Sequence, residues 1–596
     1  MRQFASIDAR HVAKAPVLPG AVASVDPEFQ PADPALVFAV GPAFCLREGL
    51  LPWRHVGGAV VVLAADPLQF QRHLSRLTAA LGPVRMAHAR QDLLKRSLLH
   101  IAGPFLASKA ETKLPEIDSC RNYSALRPQQ KRKLAAGLLG FAGAAVLFPG
   151  PIIVGLCLLA IIVLTLATAL KAAAAVATLG RGKEVAPVLA QDADNTVVFS
   201  SIRPIISLLV PLYKEPEIAG HLLQRLAQID YPKARLDACL ILEDNDHVTR
   251  AALARTKLPD WVQVITVPAG MIRTKPRALN YAMDFTRGSI IGIYDAEDLP
   301  ARDQLHAVAA GFAKAPPEVA CLQGVLDYFN TDSNWLARCF TLEYAAWFRV
   351  LLPGMARLGL AVPLGGTTLF IRKEVIEELG GWDAHNVTED ADLGIRLARR
   401  GYKTELISSV TQEEANARFW PWVKQRSRWL KGYAITWAVH MRDPKVLWQE
   451  LGPKRFFAFQ VLFLGTLAQF CLAPVLWSAW LLMLGFGHPL NILPNWAVWA
   501  FIGTCLTGEV VNIAVALLGA KRAQKPRLYL WSLTLLAYFP MATLSVIKAF
   551  WEVVHNPFYW DKTSHGIDAP PKDSLYVAAS NFAASSFNRV TKARLM

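Results

Sequence analysis

Acidic side chains follow two short apolar runs in the middle of the chain. Glu243-Asp-Asn-Asp246 comes directly after the run 236–242, and Asp295-Ala-Glu-Asp298 comes after the run 289–294. The basic residues between these groups include Arg273, Lys275 and Arg277. Carboxylates bind hard cations, and neighbouring basic side chains bind phosphate oxygens. The combination therefore fits a polyanionic, metal-bound substrate such as a nucleoside diphosphate.

Short apolar runs alternate with a helical pattern over the same part of the chain. We predict strands at 205–211, 236–242, 262–267 and 289–294, and a helix at 216–228. This alternation indicates an α/β fold with a parallel sheet, whose ligands bind at the carboxyl ends of the strands. The acidic groups lie at those ends. No G-x-x-x-x-G-K-[ST] or helix-opening G-x-G-x-x-G motif occurs, so a P-loop NTPase or a dinucleotide-dependent dehydrogenase has no support.

Composition points to a membrane protein. Of the 596 residues, 53% are hydrophobic, and 63 basic residues against 47 acidic ones give a net charge of +16. Such a charge fits nucleic acid, an anionic bilayer or a phosphorylated substrate. Because basic residues flank the apolar segments and accompany the acidic groups, we expect a lipid bilayer and a diphosphate as partners, and no nucleic acid. The eight cysteines lie far apart without C-x-x-C spacing, which predicts neither a zinc site nor a disulfide framework.

Apolar segments divide the chain into membrane and polar parts. We predict a transmembrane hairpin at 134–175, a cytosolic domain at 184–455 and two transmembrane helices within 456–520. Basic residues flank the hairpin at both ends and are missing from its turn at 149–151, so both ends should be cytosolic. The stretch 528–554 contains Pro540, Lys548 and Glu552. It could be a fifth span, but we expect an interfacial or re-entrant helix and four spans in total.

Six motifs occur in a fixed order across residues 200–432. They are Pro211-Leu-Tyr-Lys-Glu215, Glu243-Asp244, Lys275-Pro-Arg-Ala-Leu-Asn280, Asp295-Ala-Glu-Asp-Leu-Pro300, Thr388-Glu-Asp390 and Gln425-Arg-Ser-Arg-Trp429. This series resembles the signature of processive family 2 glycosyltransferases, the cellulose, hyaluronan and related synthases. The flanking apolar segments also fit the layout of those enzymes. The resemblance implies a GT-A-type α/β catalytic domain flanked by transmembrane helices.

The resemblance also implies residues that bind the donor, a UDP-sugar. Those surrounding the uridine would be Pro211, Tyr213, Glu215 and Asp244, with Lys275 near the diphosphate. Asp295 and Glu297 would take the places of the D-x-D pair, Asp295 reaching the sugar or metal and Glu297 ligating Mg²⁺ or Mn²⁺. Glu297 departs from the family, which usually has Asp there, and Asp298 is a rival ligand.

Acceptor-side and catalytic roles follow from the later motifs. The resemblance makes Asp390 the general base that deprotonates the acceptor hydroxyl. Asp390 precedes an amphipathic helical pattern, whose dipole favours an ionised carboxylate in the first turn. Helix capping is an alternative role for this motif. In the helical run 419–437, Gln425, Arg426 and Arg428 would bind the diphosphate and Trp429 would stack on the acceptor sugar; an amphipathic interface helix is compatible with this. Gly366 and Thr367 resemble the acceptor-side loop.

The ends of the chain carry further segments. Residues 34–106 read as a small α/β domain, between a flexible N-terminus at 1–33 and a linker at 107–133. The stretch 46–67 is similar to the N-terminal domain of type II secretion and pilus-assembly ATPases, which in some relatives binds cyclic di-GMP. The alternative is a docking or folding module. Residues 555–596 would form a segment placed like the gating loop of cellulose synthases, followed by a mobile tail.

Together these features predict an inner-membrane, inverting glycosyltransferase with a cytoplasmic catalytic domain. It would polymerise a β-linked exopolysaccharide from UDP-glucose or UDP-N-acetylglucosamine, using the growing glycan as acceptor, and translocate it. One alternative is a non-processive enzyme that adds a sugar to a lipid acceptor. Another is a non-catalytic membrane receptor for a nucleotide signal.

Overall fold

The computed structural model describes residues 25–123, 127–179, 203–215 and 218–560. Its strands are β1 (Leu50–Val56), β2 (Ala59–Ala64), β3 (Val84–His88), β4 (Ile206–Leu212), β5 (Leu236–Glu243), β6 (Val262–Val267), β7 (Ile290–Ile293), β8 (Leu299–Pro300), β9 (Val319–Tyr328), β10 (Leu369–Arg372) and β11 (Lys403–Glu413). Residues 1–24 of the predicted flexible N-terminus lie outside the described part of the chain, and so do residues 561–596 of the predicted gating segment and tail.

The α-helices are numbered along the chain in the same way. They are α1 (Pro34–Val40), α2 (Pro42–Glu48), α3 (Pro67–Arg72), α4 (Leu74–Leu81), α5 (Gln91–Thr112), α6 (Pro128–Leu147), α7 (Pro149–Leu179), α8 (Ile218–Gln228), α9 (His247–Ala254), α10 (Lys275–Met283), α11 (Gln304–Lys314), α12 (Trp335–Ala346), α13 (Leu352–Arg357), α14 (Lys373–Glu378), α15 (Glu389–Arg399), α16 (Phe419–His440), α17 (Pro444–Phe459), α18 (Gly465–Cys471), α19 (Ala473–Trp477), α20 (Ala479–Met483), α21 (Asn495–Arg522), α22 (Leu535–Tyr538) and α23 (Ala542–His555). The chain divides into two compact units. Unit 1 comprises 1–113, 211–216 and 239–287, and unit 2 comprises 114–210, 217–238 and 288–596.

Unit 1 begins with a small α/β module. Its strands lie in the order β1-β2-β3, with β1 antiparallel and β3 parallel to β2. Apolar residues of this sheet and of helices α1 to α5 form one buried core. The predicted N-terminal α/β domain is therefore confirmed as a fold. Its last helix, α5, runs to Thr112, so the predicted linker starts too early: residues 107–112 continue the helix.

The rest of unit 1 consists of loops and elements from the predicted catalytic domain. It contains most of β5, the neighbouring strand β6, and the helices α9 and α10. Each helix starts with a side-chain cap: Asp246 accepts a hydrogen bond from the Thr249 amide, and Thr274 accepts one from the Arg277 amide. The start of α10 is thus fixed at Lys275, the first residue of one predicted donor motif.

Unit 2 holds a sheet whose strands lie in the order β4-β7-β10-β9-β11-β8, with β4 contributing residues 206–210. The α/β class is confirmed, but the prediction of a parallel sheet is wrong. Strand β4 is parallel to β7, and β11 is parallel to β9, whereas β10 runs antiparallel to both β7 and β9. The pairing of Leu369 with Ile293 joins the start of β10 to the end of β7. An antiparallel strand at this place brings the loop before β10 beside the acidic residues after β7.

Several apolar helices of unit 2 have the length of a membrane span. By length and composition, three stretches of the described chain qualify, namely Pro149–Leu179, Asn495–Arg522 and Pro526–His555. A fourth is added if Pro444–Cys471 and Ala473–Met483, which are bent by 60°, form one broken span. The bend falls between Cys471 and Ala473, just before Pro474.

The first half of the predicted hairpin differs from expectation. Residues 134–147 lie in α6, which is not among the span candidates, because it starts with basic and polar residues and its apolar part is short. Pro149-Gly-Pro151, expected as a turn, forms the start of α7, where proline is well tolerated, and the break falls at Phe148. The stretch 528–554, expected at the interface, has the length and hydropathy of a span. Its placement stays a prediction.

Candidate functional site

The acidic turn after β7 is organised by Asp298. The Asp298 carboxylate accepts hydrogen bonds from the Asp295 amide, at 2.8 Å, and from the Thr367 hydroxyl. Asp298 is buried, whereas Asp295 and Glu297 are half-buried. Burial raises the pKa of Asp298 well above its usual range, and the charges of Asp295 and Glu297 raise it further. The hydrogen bonds of Asp298 thus hold the turn together, while the carboxylates of Asp295 and Glu297 are partly exposed.

Thr367 connects this turn to the predicted acceptor-side loop. Its hydroxyl lies within hydrogen-bond distance of the Asp298 carboxylate and of the Ile293 carbonyl, and its oxygen accepts from the Asp295 amide at 3.3 Å. Gln323 holds this loop in place with three hydrogen bonds. Its amide nitrogen donates to the carbonyls of Thr367 and Thr368, and its oxygen accepts from the Gly365 amide. Gln323, a fully buried residue of β9, has no sequence signal that could have identified it.

The acidic turn fits a hard cation. No group of three or more His, Cys, Asp or Glu side chains that could hold a metal occurs within the described ranges. Mg²⁺ and Mn²⁺ need only one or two carboxylates when phosphate oxygens and water complete the shell. Asp295 and Glu297 supply such a pair. Next to them, the buried Asp298 Oδ1 has no hydrogen-bond partner among the described residues.

Asp390 lies in the first turn of α15, as predicted. Its Oδ1 accepts a hydrogen bond from the Ala391 amide at 2.8 Å, and its side chain is half-buried. The helix start favours the charged form of a carboxylate. Two residues later, the buried Asp392 accepts from Arg396 at 2.7 Å and contacts His440 of α16 at 3.0 Å. These buried contacts tie the helix that carries Asp390 to α16.

A close approach between Thr388 and Gly432 sets the spacing of α15 and α16. A Cβ at position 432 would overlap the side chain of Thr388, two residues before Asp390. Only glycine leaves room for this contact.

We expect Gly432→Ala to destabilise the protein by about 1–3 kcal/mol, because the added methyl must displace Thr388 in a packed core. Sugar transfer should fall as well, since Asp390 moves with Thr388. The matched control is Gly503→Ala in α21, where a Cβ meets nothing within 4 Å; it should be neutral or slightly stabilising. Thermal unfolding and transfer assays of the two variants give the comparison. Equal behaviour would mean that the contact has no role.

Arg426 is occupied by a buried ion pair. Its guanidinium contacts both carboxylate oxygens of Glu343 in α12, one of them at 2.9 Å, and donates to the Tyr538 hydroxyl at 3.0 Å. The rings of Trp422 and Trp429 lie 4.6 and 5.8 Å from it. A diphosphate could therefore bind Arg426 only in competition with Glu343.

Arg428 has different surroundings. Burial lowers its pKa, and the charges of Glu389, Asp390 and Asp295 act in the opposite direction. Within the described chain, its Nε has no hydrogen-bond partner, and its guanidinium lies 4.3 Å from the centre of the Trp560 ring. The two predicted catalytic carboxylates, Asp390 in α15 and Asp295 in the turn after β7, thus both act electrostatically on Arg428.

Gln425 and Trp429, the other predicted site residues of this motif, also lie on α16. Gln425 accepts a hydrogen bond from Asn416 at 2.8 Å. The half-buried ring of Trp429 packs at 5.9 Å from Phe340 and 6.3 Å from Tyr344. The predicted helix 419–437 is confirmed as α16. The stacking role of Trp429 stays a prediction.

The predicted uridine residues, and Lys275 among the predicted diphosphate residues, lie in unit 1. Pro211, Tyr213 and Glu215 fall at and after the end of β4, where the Glu215 amide donates to Thr249. Asp244 has a side chain that is 60% exposed, at 3.7 Å from Arg250. Lys275 opens α10 and is half-buried. The neighbouring acid Asp246 is buried because it caps α9, so it serves the fold.

Two segments of the chain match known protein families. Residues 290–554 match the description "Glycosyl transferase family group 2", and residues 18–105 match the MshEN domain. The chain is 29% identical over 259 residues to β-monoglucosyldiacylglycerol synthase of Synechocystis, covering 42% of this chain and 51% of the relative. It is 26% identical over 240 residues to the UDP-forming cellulose synthase catalytic subunit of Komagataeibacter sucrofermentans, covering 38% of this chain and 30% of the relative.

The chain thus spans about half or less of the length of these curated relatives. Among solved structures it is similar to a mannosyltransferase from Pyrobaculum calidifontis in complex with GDP-mannose and Mn²⁺, at 20% identity and a TM-score of 0.41, covering 65% of this chain and 99% of the other. Residues 290–554 are therefore similar to family 2 glycosyltransferases, among them cellulose synthase and β-monoglucosyldiacylglycerol synthase, and residues 18–105 are similar to the MshEN domain.

Proposed function

We propose that this protein is a membrane-embedded, inverting glycosyltransferase that uses a UDP-sugar, either UDP-glucose or UDP-N-acetylglucosamine. The observation that carries the proposal is the pair of predicted catalytic carboxylates, Asp295 in the turn that Asp298 and Thr367 hold and Asp390 in the first turn of α15, with both charges acting on Arg428. A carboxylate on each of two separate elements, with an arginine on which both charges act, would supply a base, a donor-sugar or metal contact and a cation for a diphosphate. A non-catalytic nucleotide receptor would need no such combination.

In the proposed reaction, Asp390 takes the proton of the acceptor hydroxyl as its oxygen attacks the anomeric carbon. The bond from that carbon to the diphosphate oxygen breaks, and its electron pair leaves with UDP. Attack from the opposite face converts an α-linked donor into a β-linked product. Arg428 stabilises the charge on the departing diphosphate. Asp295 and Glu297 would hold Mg²⁺ or Mn²⁺, which when bound neutralises diphosphate charge.

In the loops of unit 1, the family resemblance implies contacts with the donor nucleotide. Pro211, Tyr213, Glu215 and Asp244 contact uridine, and Lys275 contacts the diphosphate. In unit 2, Trp429, Gly366 and Thr367 face the acceptor, and Gln425 assists Arg428.

The proposed acceptor is a growing β-linked glycan, which the membrane helices then translocate. The Gln425-to-Trp429 motif of processive synthases and the relation to cellulose synthase support this choice. The second candidate acceptor is a diacylglycerol-type lipid, and the relation to β-monoglucosyldiacylglycerol synthase favours it. The span candidates support a multi-pass location in the inner membrane. The basic residues that flank the apolar segments support a catalytic domain on the cytoplasmic side.

The MshEN match supports cyclic di-GMP as a ligand of the N-terminal module. Titration of the purified full chain with cyclic di-GMP should then give saturable heat, with GMP as the control nucleotide. No heat with the dinucleotide would leave this module a docking or folding unit.

Purified protein in lipid nanodiscs tests the catalytic proposal. Incubation with each radiolabelled UDP-sugar and Mg²⁺ or Mn²⁺ should release UDP, and EDTA should stop the release. Label in an ethanol-insoluble, β-glucanase- or chitinase-sensitive product would support the polymer. Label that enters chloroform after diacylglycerol is added would support the lipid acceptor. No UDP release from either donor would overturn the proposed function.

A further inference from the structure

The last turn of α5, in the N-terminal module, contacts the loop that precedes Lys275. Glu111 is 8% exposed, and its Oε1 accepts hydrogen bonds from the Met271 amide at 2.9 Å and the Ile272 amide at 3.4 Å. The same oxygen accepts from Arg277 Nε at 3.0 Å. A residue more than 150 positions earlier in the chain thus supplies the acceptor for two backbone amides of this loop.

Arg277 links Glu111 to a second donor motif. The Arg277 side chain is fully buried, and its other nitrogens reach Glu243, at 3.1 Å, and the Pro268 carbonyl. Glu243 directly precedes Asp244. Burial raises the pKa of Glu243, and the nearby Arg277 acts against this rise. A fully desolvated guanidinium needs both carboxylates, so removing one changes the loop and the strand end together.

Further contacts hold α5 along α10. The Asn280 side chain donates to the Ala110 carbonyl at 3.0 Å, and Lys109 pairs with Asp284 at 2.8 Å. Gly270 allows the close approach of the loop, because a Cβ there would overlap both Glu111 and Arg277. Any larger residue at position 270 would therefore displace the loop from Glu111 and Arg277.

We propose that Glu111 of the N-terminal module is a positioning residue for donor nucleotide binding: through Arg277 it fixes the loop 268–274, and with it Lys275 and Asp244. The inference rests on the proposed function, because it assumes that these two residues contact a nucleoside diphosphate. It adds that donor affinity depends on a side chain outside the glycosyltransferase motifs. The module is thereby part of the donor site's framework.

The test uses the full chain in nanodiscs and UDP with Mn²⁺ as the probe. Glu111→Gln removes the charge but keeps an acceptor of the same shape, and Gly270→Ala displaces the loop by added bulk. Asp92→Asn, on the same helix, removes a surface pair with Arg90 and Arg96 and serves as the control. We expect about tenfold weaker UDP binding for the first two variants, the size of one charge-assisted hydrogen bond, and no change for the control. The donor KM should rise similarly with kcat within about twofold.

Each outcome of these measurements either supports or overturns the inference. UDP affinity equal to that of the control in a folded Glu111→Gln or Gly270→Ala protein overturns the inference. So does a lowered kcat with unchanged KM, which would show a merely structural role. If the unsubstituted protein binds no UDP, the proposed donor class fails together with the inference. If UDP binding responds as expected while Asp390→Asn still transfers sugar, the catalytic assignment fails and the inference stands.

Discussion

Replacing Asp390 with asparagine is expected to lower kcat for sugar transfer by about 10²–10⁴-fold, the usual contribution of a general base. The amide is isosteric with the carboxylate but cannot take the acceptor proton. Its oxygen can still accept the hydrogen bond from the Ala391 amide, so the start of α15 should remain intact. UDP binding should persist. The measurement is UDP release at saturating donor, beside the UDP affinity of the same preparation.

Asp303→Asn is the matched control for this substitution. Asp303 is an exposed residue at the start of α11 in the same unit, and its side chain makes no capping hydrogen bond. It should transfer sugar at the rate of the unsubstituted protein. If Asp390→Asn retained more than about a tenth of the rate, base catalysis by Asp390 would be excluded. A variant that lost UDP binding as well would indicate a disturbed donor site instead.

The sequence predicted the elements that carry apolar periodicity. Strands β4 to β7 and helix α16 lie within a few residues of their expected positions, because buried strands and amphipathic helices leave a local pattern. The antiparallel strand β10 was not predicted. It is a four-residue strand whose register depends on pairing with β7 and β9. Strand direction comes from long-range pairing, which a single short run does not encode.

The sequence predicted the residues of the candidate site better than it predicted their contacts. Asp295, Thr367 and Asp390 could be identified from ordered motifs, and the structure brings Asp295 and Thr367 into contact. The motif could not distinguish Arg426 from Arg428. That difference depends on Glu343 and Tyr538, which lie 83 and 112 positions from Arg426 and have no motif of their own. Likewise, no local pattern connects Glu111 with Arg277.

The ion pair between Arg426 and Glu343 gives the largest expected stability effect. Glu343→Gln should destabilise the protein by about 3 kcal/mol, because it leaves a buried guanidinium without its counter-charge. We take the lower end of the usual range since the Glu343 side chain is 23% exposed, against 5% for Arg426. Burial tends to lower the pKa of Arg426, but Glu343 raises it above its ordinary value, so the guanidinium stays charged. Thermal unfolding in nanodiscs measures the effect.

A double substitution separates the ion pair from a direct role in donor binding. Glu343→Leu combined with Arg426→Met removes both charges at similar volume and should recover most of the lost stability. The control Glu377→Gln breaks only an exposed 3.9 Å contact with Lys373 and should cost less than about 0.5 kcal/mol. If Glu343→Gln were as stable as this control, Arg426 would not depend on Glu343. If the double variant were stable but bound UDP much more weakly, Arg426 would contact the diphosphate after all. We expect stability restored and UDP affinity retained, since Arg428, on which the charges of Asp295 and Asp390 act, is unchanged in this variant.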